Sequence, residues 1–115
     1  MTQPTISVVI PSYNSEKFIS ICLTSILDQT FKEFEIIVIN DSSTDNSLNI
    51  IKKFQEKDKR IKIINNPKNI GAHNSRMLGV RNASGSYIAF IDSDDYVDKN
   101  YLLKLYNGTE NGQID

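Results

Sequence analysis

Phe34-Glu35-Ile36-Ile37-Val38-Ile39, followed by Asn40-Asp41-Ser42-Ser43-Thr44-Asp45 and then by a stretch with Leu48, Ile51 and Phe54 on one side and Lys52, Lys53 and Lys57 on the other, forms one unit of a repeating plan. A short run of aliphatic residues reads as a strand buried on both faces. The polar hexapeptide reads as a loop, and the residues after it have helical period, with Asp45 in the first turn. Outward from this unit the pattern recurs. Ile6 to Ile10, Ile61 to Ile64 and Tyr87 to Ile91 read as further strands buried on both faces. Between the first two, Asn14 or Ser15 can cap a helix reaching about Thr30, with Phe18, Cys22 and Ile26 inward. Asn65-Asn66-Pro67 marks a loop before a helix from about Ala72 to Ala83 that stops at Ser84-Gly85. A last helix starts near Asp98, buries Leu102, Leu105 and Tyr106, and ends at Gly108. Strand and helix in alternation imply parallel pairing through right-handed crossovers, hence an α/β protein with a mainly parallel sheet and helices on both faces.

The 115 residues, 39% apolar and 23% charged, suit a single folded domain. Thirteen basic against fourteen acidic side chains give a net charge of −1, which argues against nucleic acid as a partner. The basic stretch from Lys52 to Lys62 reads as a solvated face rather than a phosphate patch. The only cysteine, Cys22, excludes an internal disulfide and reads as a small core residue. The longest aliphatic run, Ile36 to Ile39, falls far short of the ~20 residues of a membrane span. Met1-Thr2-Gln3-Pro4 does not open a signal segment, so a cytoplasmic location is expected, with the inner face of the membrane as the alternative. The Asn-x-Ser/Thr triplets at Asn40, Asn82 and Asn107 then read as chance matches. Gln113-Ile114-Asp115 resembles the approach to another strand, so a domain cut short after about four strands is expected, with an apolar edge near Ile114 prone to self-association.

In an open parallel sheet ligands bind beyond the carboxyl ends of the strands. The residues there are Pro11-Ser12-Tyr13-Asn14, Asn40 to Asp45, Asn65-Asn66 with Asn69-Ile70-Gly71, and Asp92-Ser93-Asp94-Asp95. If the fourth strand continues, Asp92 and Asp94 point to one side about 6–7 Å apart, at ~3.3 Å per residue. Crowded carboxylates invite a divalent ion, and hard oxygen ligands favour Mg2+ or Mn2+; the simpler alternative is that they cap the following turn. Asp41 can accept from a base N–H or a ribose hydroxyl, or simply shape its turn. Tyr13 can lie against a base or pack on the first helix. Arg76 can reach a diphosphate or form a surface ion pair. His73 lacks a second ligand at metal spacing and reads as a polar residue at a helix start. No Gly-x-Gly-x-x-Gly follows the first strand, and no phosphate-binding Gly-Lys-Ser/Thr loop is present. A calcium loop from Asp92 fails because Val97 and Leu103 stand where Gly and Glu are needed.

Taken together, Ser7-Val8-Val9-Ile10-Pro11-Ser12-Tyr13-Asn14, Ile37 to Asp45, Asn69-Ile70-Gly71 through Ser75-Arg76 to Gly79, and Gly85 to Asp95 resemble the amino-terminal, nucleotide-sugar-binding half of a family 2 glycosyltransferase of the GT-A (Rossmann-like) fold. The resemblance runs from about Ile6 to Tyr106, and Met77 stands where the family usually has Asn. It implies an inverting transfer of a sugar from a nucleoside diphosphate, most often UDP, to the hydroxyl of a saccharide or lipid-linked acceptor, with Mn2+ or Mg2+ as cofactor. Pro11, Tyr13 and Asn14 would border the base and Asp41 would hydrogen-bond it. Arg76 would lie near base or phosphates. Asp92, with Ser93, would lie near the ribose, and Asp92 and Asp94 would hold the metal as an Asp-x-Asp pair. The acid that activates the acceptor would lie beyond Asp115, so slow or undetectable transfer is expected of these residues alone. Two other classes fit less of the pattern: a nucleotide-binding module without catalysis, and a phosphatase of the haloacid dehalogenase type with Asp92 as nucleophile.

Overall fold

Each alternation of the sequence becomes a strand and a helix. The computed structural model describes residues 4–110, in the order β1 (Ile6–Ser12), α1 (Ile19–Leu27), β2 (Phe34–Asn40), α2 (Ser47–Lys57), β3 (Ile61–Asn65), α3 (Ala72–Arg81), β4 (Tyr87–Phe90) and α4 (Tyr101–Glu110). The strands form one sheet in the order β3-β2-β1-β4, every neighbouring pair parallel. The chain winds outward from β1 through β2 to β3 and then returns to β1's other side as β4. That reversal creates a switch point beyond the carboxyl ends of β1 and β4.

The period of two divides the strand side chains between two cores. Ile6, Val8, Ile10, Ile36 and Val38 pack on one face with Cys22, Leu23 and Ile26 of α1, Ile51 of α2 and Leu102 of α4. Val9, Ile37 and Ile39 pack on the other with Leu78 of α3. Helices therefore cover both faces, as expected. Gly79 sets how closely α3 lies on the sheet, because a Cβ there would stand 2.4 Å from Val9 Cγ1 and 2.9 Å from Ile39 Cδ1.

Only β1 and β2 match the expectation of strands buried on both faces. β3 and β4 lie at the edges of the described sheet and expose Lys62 and Asn65, and Tyr87 and Phe90. The first helix is shorter than expected. Asn14 adopts φ +49°, Ser15 O accepts the Phe18 and Ile19 amides, and the resulting turn precedes α1. Phe18 is consequently exposed while Cys22 and Ile26 are buried. Asp45 precedes α2 instead of lying within its first turn, and its carboxylate accepts the Ser47 amide and hydroxyl. α3 stops at Arg81, and α4 starts at Tyr101 and continues through Gly108. β4 ends at Phe90, and beyond Ile91 a turn closes from the Asp95 amide to Asp92 O at 3.0 Å. Gln113-Ile114-Asp115 lie outside the described residues.

The basic stretch is solvated as expected. Lys52, Lys53, Lys57 and Lys59 are exposed, Arg60 pairs with Asp58 at 2.8 Å and stacks on Phe34, and Lys62 pairs with Glu35 at 2.7 Å. Glu35 is a buried acid whose bonds were not foreseen. It also accepts the Ser7 hydroxyl and the Ser84 amide, tying β1, β2, β3 and the α3–β4 turn together at the amino end of the sheet. Among the described residues, no helix is long and apolar enough to cross a membrane.

Candidate functional site

A cleft of about 390 Å³ opens at the switch point. Its walls include Pro11, Tyr13, Asn14, Asp41, Arg76, Asp92, Ser93 and Asp94, together with Ser12, Ser15, Phe18, Ala72 and Ser75. All eight residues singled out from the sequence therefore meet at one rim. A somewhat larger groove of about 440 Å³ runs along α1 past Ile21, Thr24, Tyr96 and Val97, and it holds none of those eight. Size and chemistry disagree here, and the smaller cleft is the one furnished with convergent polar groups.

The loops after β1 and β2 are locked together by reciprocal hydrogen bonds. Asn14 Oδ1 accepts the Thr44 amide at 2.8 Å and the Asp45 amide at 3.3 Å, and the Asn14 amide donates to Ser43 Oγ at 3.0 Å. In the other direction, the Glu16 amide donates to Asp45 Oδ2 at 3.2 Å and the Asn46 amide to Glu16 Oε1 at 3.0 Å. The Ser15 amide reaches Ser47 Oγ at 2.8 Å. Asn14 thus lines the cleft while its side-chain oxygen braces the neighbouring loop. Tyr13, carried on this brace, keeps half of its surface open. Asp45 and Glu16 belong to the site's support; Asp45 is legible locally as a helix-entry residue, but the bonds that join the two loops are not, because they span about thirty residues.

Asp41 is buried at 3% exposure, with its carboxylate largely used by its own chain. Oδ1 accepts Asn66 Nδ2 at 2.9 Å and the Ile70 amide at 2.8 Å, and Oδ2 accepts the Gly71 amide at 2.9 Å. Burial would raise this carboxyl, but the hydrogen bonds from Ile70, Asn66 and Gly71 outweigh it and hold the group below the usual carboxylate range. A carboxylate offers about four acceptor sites, so about one remains for a ligand. Gly71 aims its amide at Asp41 from φ +91° and ψ 160°, a region that essentially only glycine occupies. Asp41 therefore also sets where α3 begins, and with it the position of Arg76.

The acids after β4 depart from the extended geometry expected of Asp92 and Asp94. The turn draws in Asp95 as well, so that all three exposed side chains offer carboxylate oxygens within 4.8 Å of one another. Among the described residues no other group of His, Cys, Asp or Glu is placed to hold a metal, and His73 is a lone exposed residue at the start of α3. Oxygens on opposite sides of a Mg2+-sized ion lie about 4 Å apart, so small side-chain movements would let these carboxylates share one hard divalent cation. Arg76 Nη2 donates to Asp92 Oδ1 at 3.0 Å, across the cleft from α3.

Cys22 lies beneath the acids, its Sγ 3.6 Å from Asp92 O. Burial, followed by the charges of Asp95, Asp94 and Asp92, raises the thiol to about 12. The thiolate is the reactive form, so the folded chain at pH 8 is expected to resist iodoacetamide and to be alkylated only in denaturant. Mass spectrometry would check this, and rapid modification of the native chain would contradict the buried placement.

A profile described as glycosyl transferase family 2 matches residues 7–115. Glycosyltransferase GlyA of Streptococcus pneumoniae is 44% identical over 110 residues, which are 96% of this chain and 16% of GlyA. S. aureus TarS (residues 1–349), solved in complex with UDP-GlcNAc, superposes with a TM-score of 0.86 at 35% identity over 93% of this chain and 31% of that one. The mannosyltransferase PcManGT of Pyrobaculum calidifontis, solved with GDP-Man and Mn2+, superposes at 0.83 over 92% of this chain and 32% of that one; its 20% identity speaks to the fold alone. The chain spans less than a third of the length of each of these three proteins.

Proposed function

Because this chain belongs to glycosyl transferase family 2 and has the GT-A fold of TarS, we propose that its cleft binds the nucleoside-diphosphate sugar, UDP-linked, of an inverting transfer to an acceptor hydroxyl. The observation that carries this reading is the meeting of Tyr13, Asp41, Arg76, Asp92 and Asp94 on one cleft from three separate strand ends and a helix. TarS, with UDP-GlcNAc in its own structure, supports the choice of nucleotide. The phosphatase alternative lapses with the family, and with Asp92 following the fourth described strand instead of the first.

Each residue has a task its surroundings suit. Tyr13, half exposed on a braced loop, offers its ring to a base face. Asp41 has about one acceptor site left for a base N–H. Its ionised state is secured by its own hydrogen bonds, so it acts as an acceptor and not as a proton donor. Asp92 and Asp94, joined by Asp95, would hold a Mn2+ or Mg2+ ion; bound there, such an ion supplies Lewis-acid stabilisation of the departing diphosphate. Arg76 sits where a guanidinium can fork onto phosphate oxygens. No described residue is assigned as the base for the acceptor.

Titration calorimetry of UDP in the presence of Mn2+ tests the assignment. Asp94→Ala is expected to lower the affinity at least about tenfold, the lower end of what even indirect metal ligation is worth. Equal affinity for the variant and the parent chain would remove the metal role. Failure of the parent to bind UDP at all would remove the donor site.

A further inference from the structure

Arg76 is paired with an acid of the same cleft. Its Nη2 holds Asp92 Oδ1 at 3.0 Å, with a third of the guanidinium-bearing side chain exposed and half of the Asp92 side chain exposed. Asp92 also belongs to the three-acid cluster, so a cation entering that cluster meets a carboxylate in use and a positive charge beside it. We infer that Arg76 is a specificity-determining residue that makes the acid cluster discriminate against a free divalent ion and in favour of an ion arriving with a diphosphate. This rests on the donor-site reading above and goes beyond it, because it concerns what the site refuses.

The physical steps are few. Three carboxylates and one guanidinium give the cluster a formal charge of −2, lower in magnitude than the acids alone would have. An ion on its own must compete with Arg76 for Asp92 and stay near the displaced guanidinium, which repels it. An ion carrying a nucleoside diphosphate brings phosphate oxygens that accept the guanidinium as well as, or better than, Asp92 does, through parallel N–H···O bonds. Arg76 then changes partner within the cleft, whose wall it already forms, and the repulsion becomes attraction. The backbone that carries Arg76 is held in place, because α3 starts from the Gly71 amide held by Asp41 and lies close to the sheet at Gly79.

The consequence is a split that a simple binding residue does not produce. Removing the charge should strengthen the binding of free Mn2+ while weakening that of UDP with Mn2+. Mn2+ binding to the full chain, followed by electron paramagnetic resonance with and without UDP, reads both quantities without any need for activity. For Arg76→Gln the affinity for free Mn2+ is expected to rise at least about fivefold, and the enhancement of Mn2+ binding by UDP to shrink by a similar factor or more, within the usual range of coupling between sites. Arg76→Lys keeps the charge and loses the fork. It should bind free Mn2+ as the parent does and recover only part of the enhancement, and it guards against a folding defect in the glutamine variant. Free Mn2+ bound equally or more weakly by Arg76→Gln than by the parent would overturn the inference, as would no detectable binding in either. If Asp94→Ala at the same time lowers UDP affinity in Mn2+, the donor site survives that failure. If Asp94→Ala is also without effect, both fall.

Discussion

Asp41→Ala is expected to lower the stability of the chain by about 3–4 kcal/mol and to abolish measurable UDP binding, since each buried donor left without its acceptor costs about 1–3 kcal/mol. Three donors would lose this acceptor: the part-buried amides of Ile70 and Gly71 and the buried side chain of Asn66, which keeps only a longer contact to Ser75 Oγ at 3.5 Å. The loss extends beyond Asp41, because its bond to the Gly71 amide helps fix the start of α3, which carries Arg76. Asp41→Asn retains one acceptor oxygen but turns an amide toward one of the donors, so a smaller loss is expected. The two variants differ from the parent in pH dependence too. The folded-state carboxyl lies below its unfolded value of 3.8. Its stabilisation is therefore complete above that pH and is lost as the pH falls through the lower folded-state value. In Asp41→Asn this acid-side decline should shrink without vanishing, because Glu35, Asp45 and Asp58 are also lowered. Urea denaturation between pH 2 and 7 measures both effects. A parent-like midpoint for Asp41→Ala would show that the bonds seen around this carboxylate do not hold the loop.

The second large effect comes from a single methyl group where α3 meets the sheet. Gly79→Ala should cost about 2 kcal/mol, in the range of overpacked cores, because the new Cβ would fall 2.4 Å from Val9 Cγ1 and 2.9 Å from Ile39 Cδ1. Both neighbours lie in the centre of the sheet, where neither strand can retreat, so α3 must move outward. Arg76 lies one turn earlier on that helix and should move with it, lengthening the pair with Asp92 and weakening UDP binding without altering any residue that lines the cleft. Val9→Ala makes room on the opposite side. Combined with Gly79→Ala it should be more stable than the sum of the single losses predicts, a coupling that residues in contact commonly show. Strict additivity in urea midpoints would mean that α3 does not press on Val9.

These two positions also show what could be read in advance. Asp41 was identifiable from its place at the end of an aliphatic run, and the strand-end rule put it on the same edge as Tyr13, Asp92 and Asp94. The structure places those residues on one cleft. Its use by Asn66, Ile70 and Gly71 was not identifiable, because those donors arrive from a loop 25 to 30 residues away. The same distance hid the brace between Asn14 and the loop holding Asp45. The burial of β3 and β4 was overread for a related reason. An aliphatic run reports that a strand wants cover, while its rank in the sheet depends on the order of crossovers. Whether β4 persists through Asp92 stayed open, since alternation alone does not reveal that the chain turns after Ile91 and gathers Asp95 into the cluster.

Periodicity and chain order were enough to determine that this is a parallel α/β layer with its polar residues collected at the carboxyl edge, because the hydrophobic pattern of a strand or helix is a local property and parallel connection forces the same edge to carry every strand-to-helix loop. The tertiary structure alone decided which acceptor each donor finds, that Arg76 pairs with Asp92, and how closely α3 may approach the sheet. Those are distances between segments remote in the chain, and hydrogen bonding, ion pairing and packing change over tenths of an ångström that no residue pattern records.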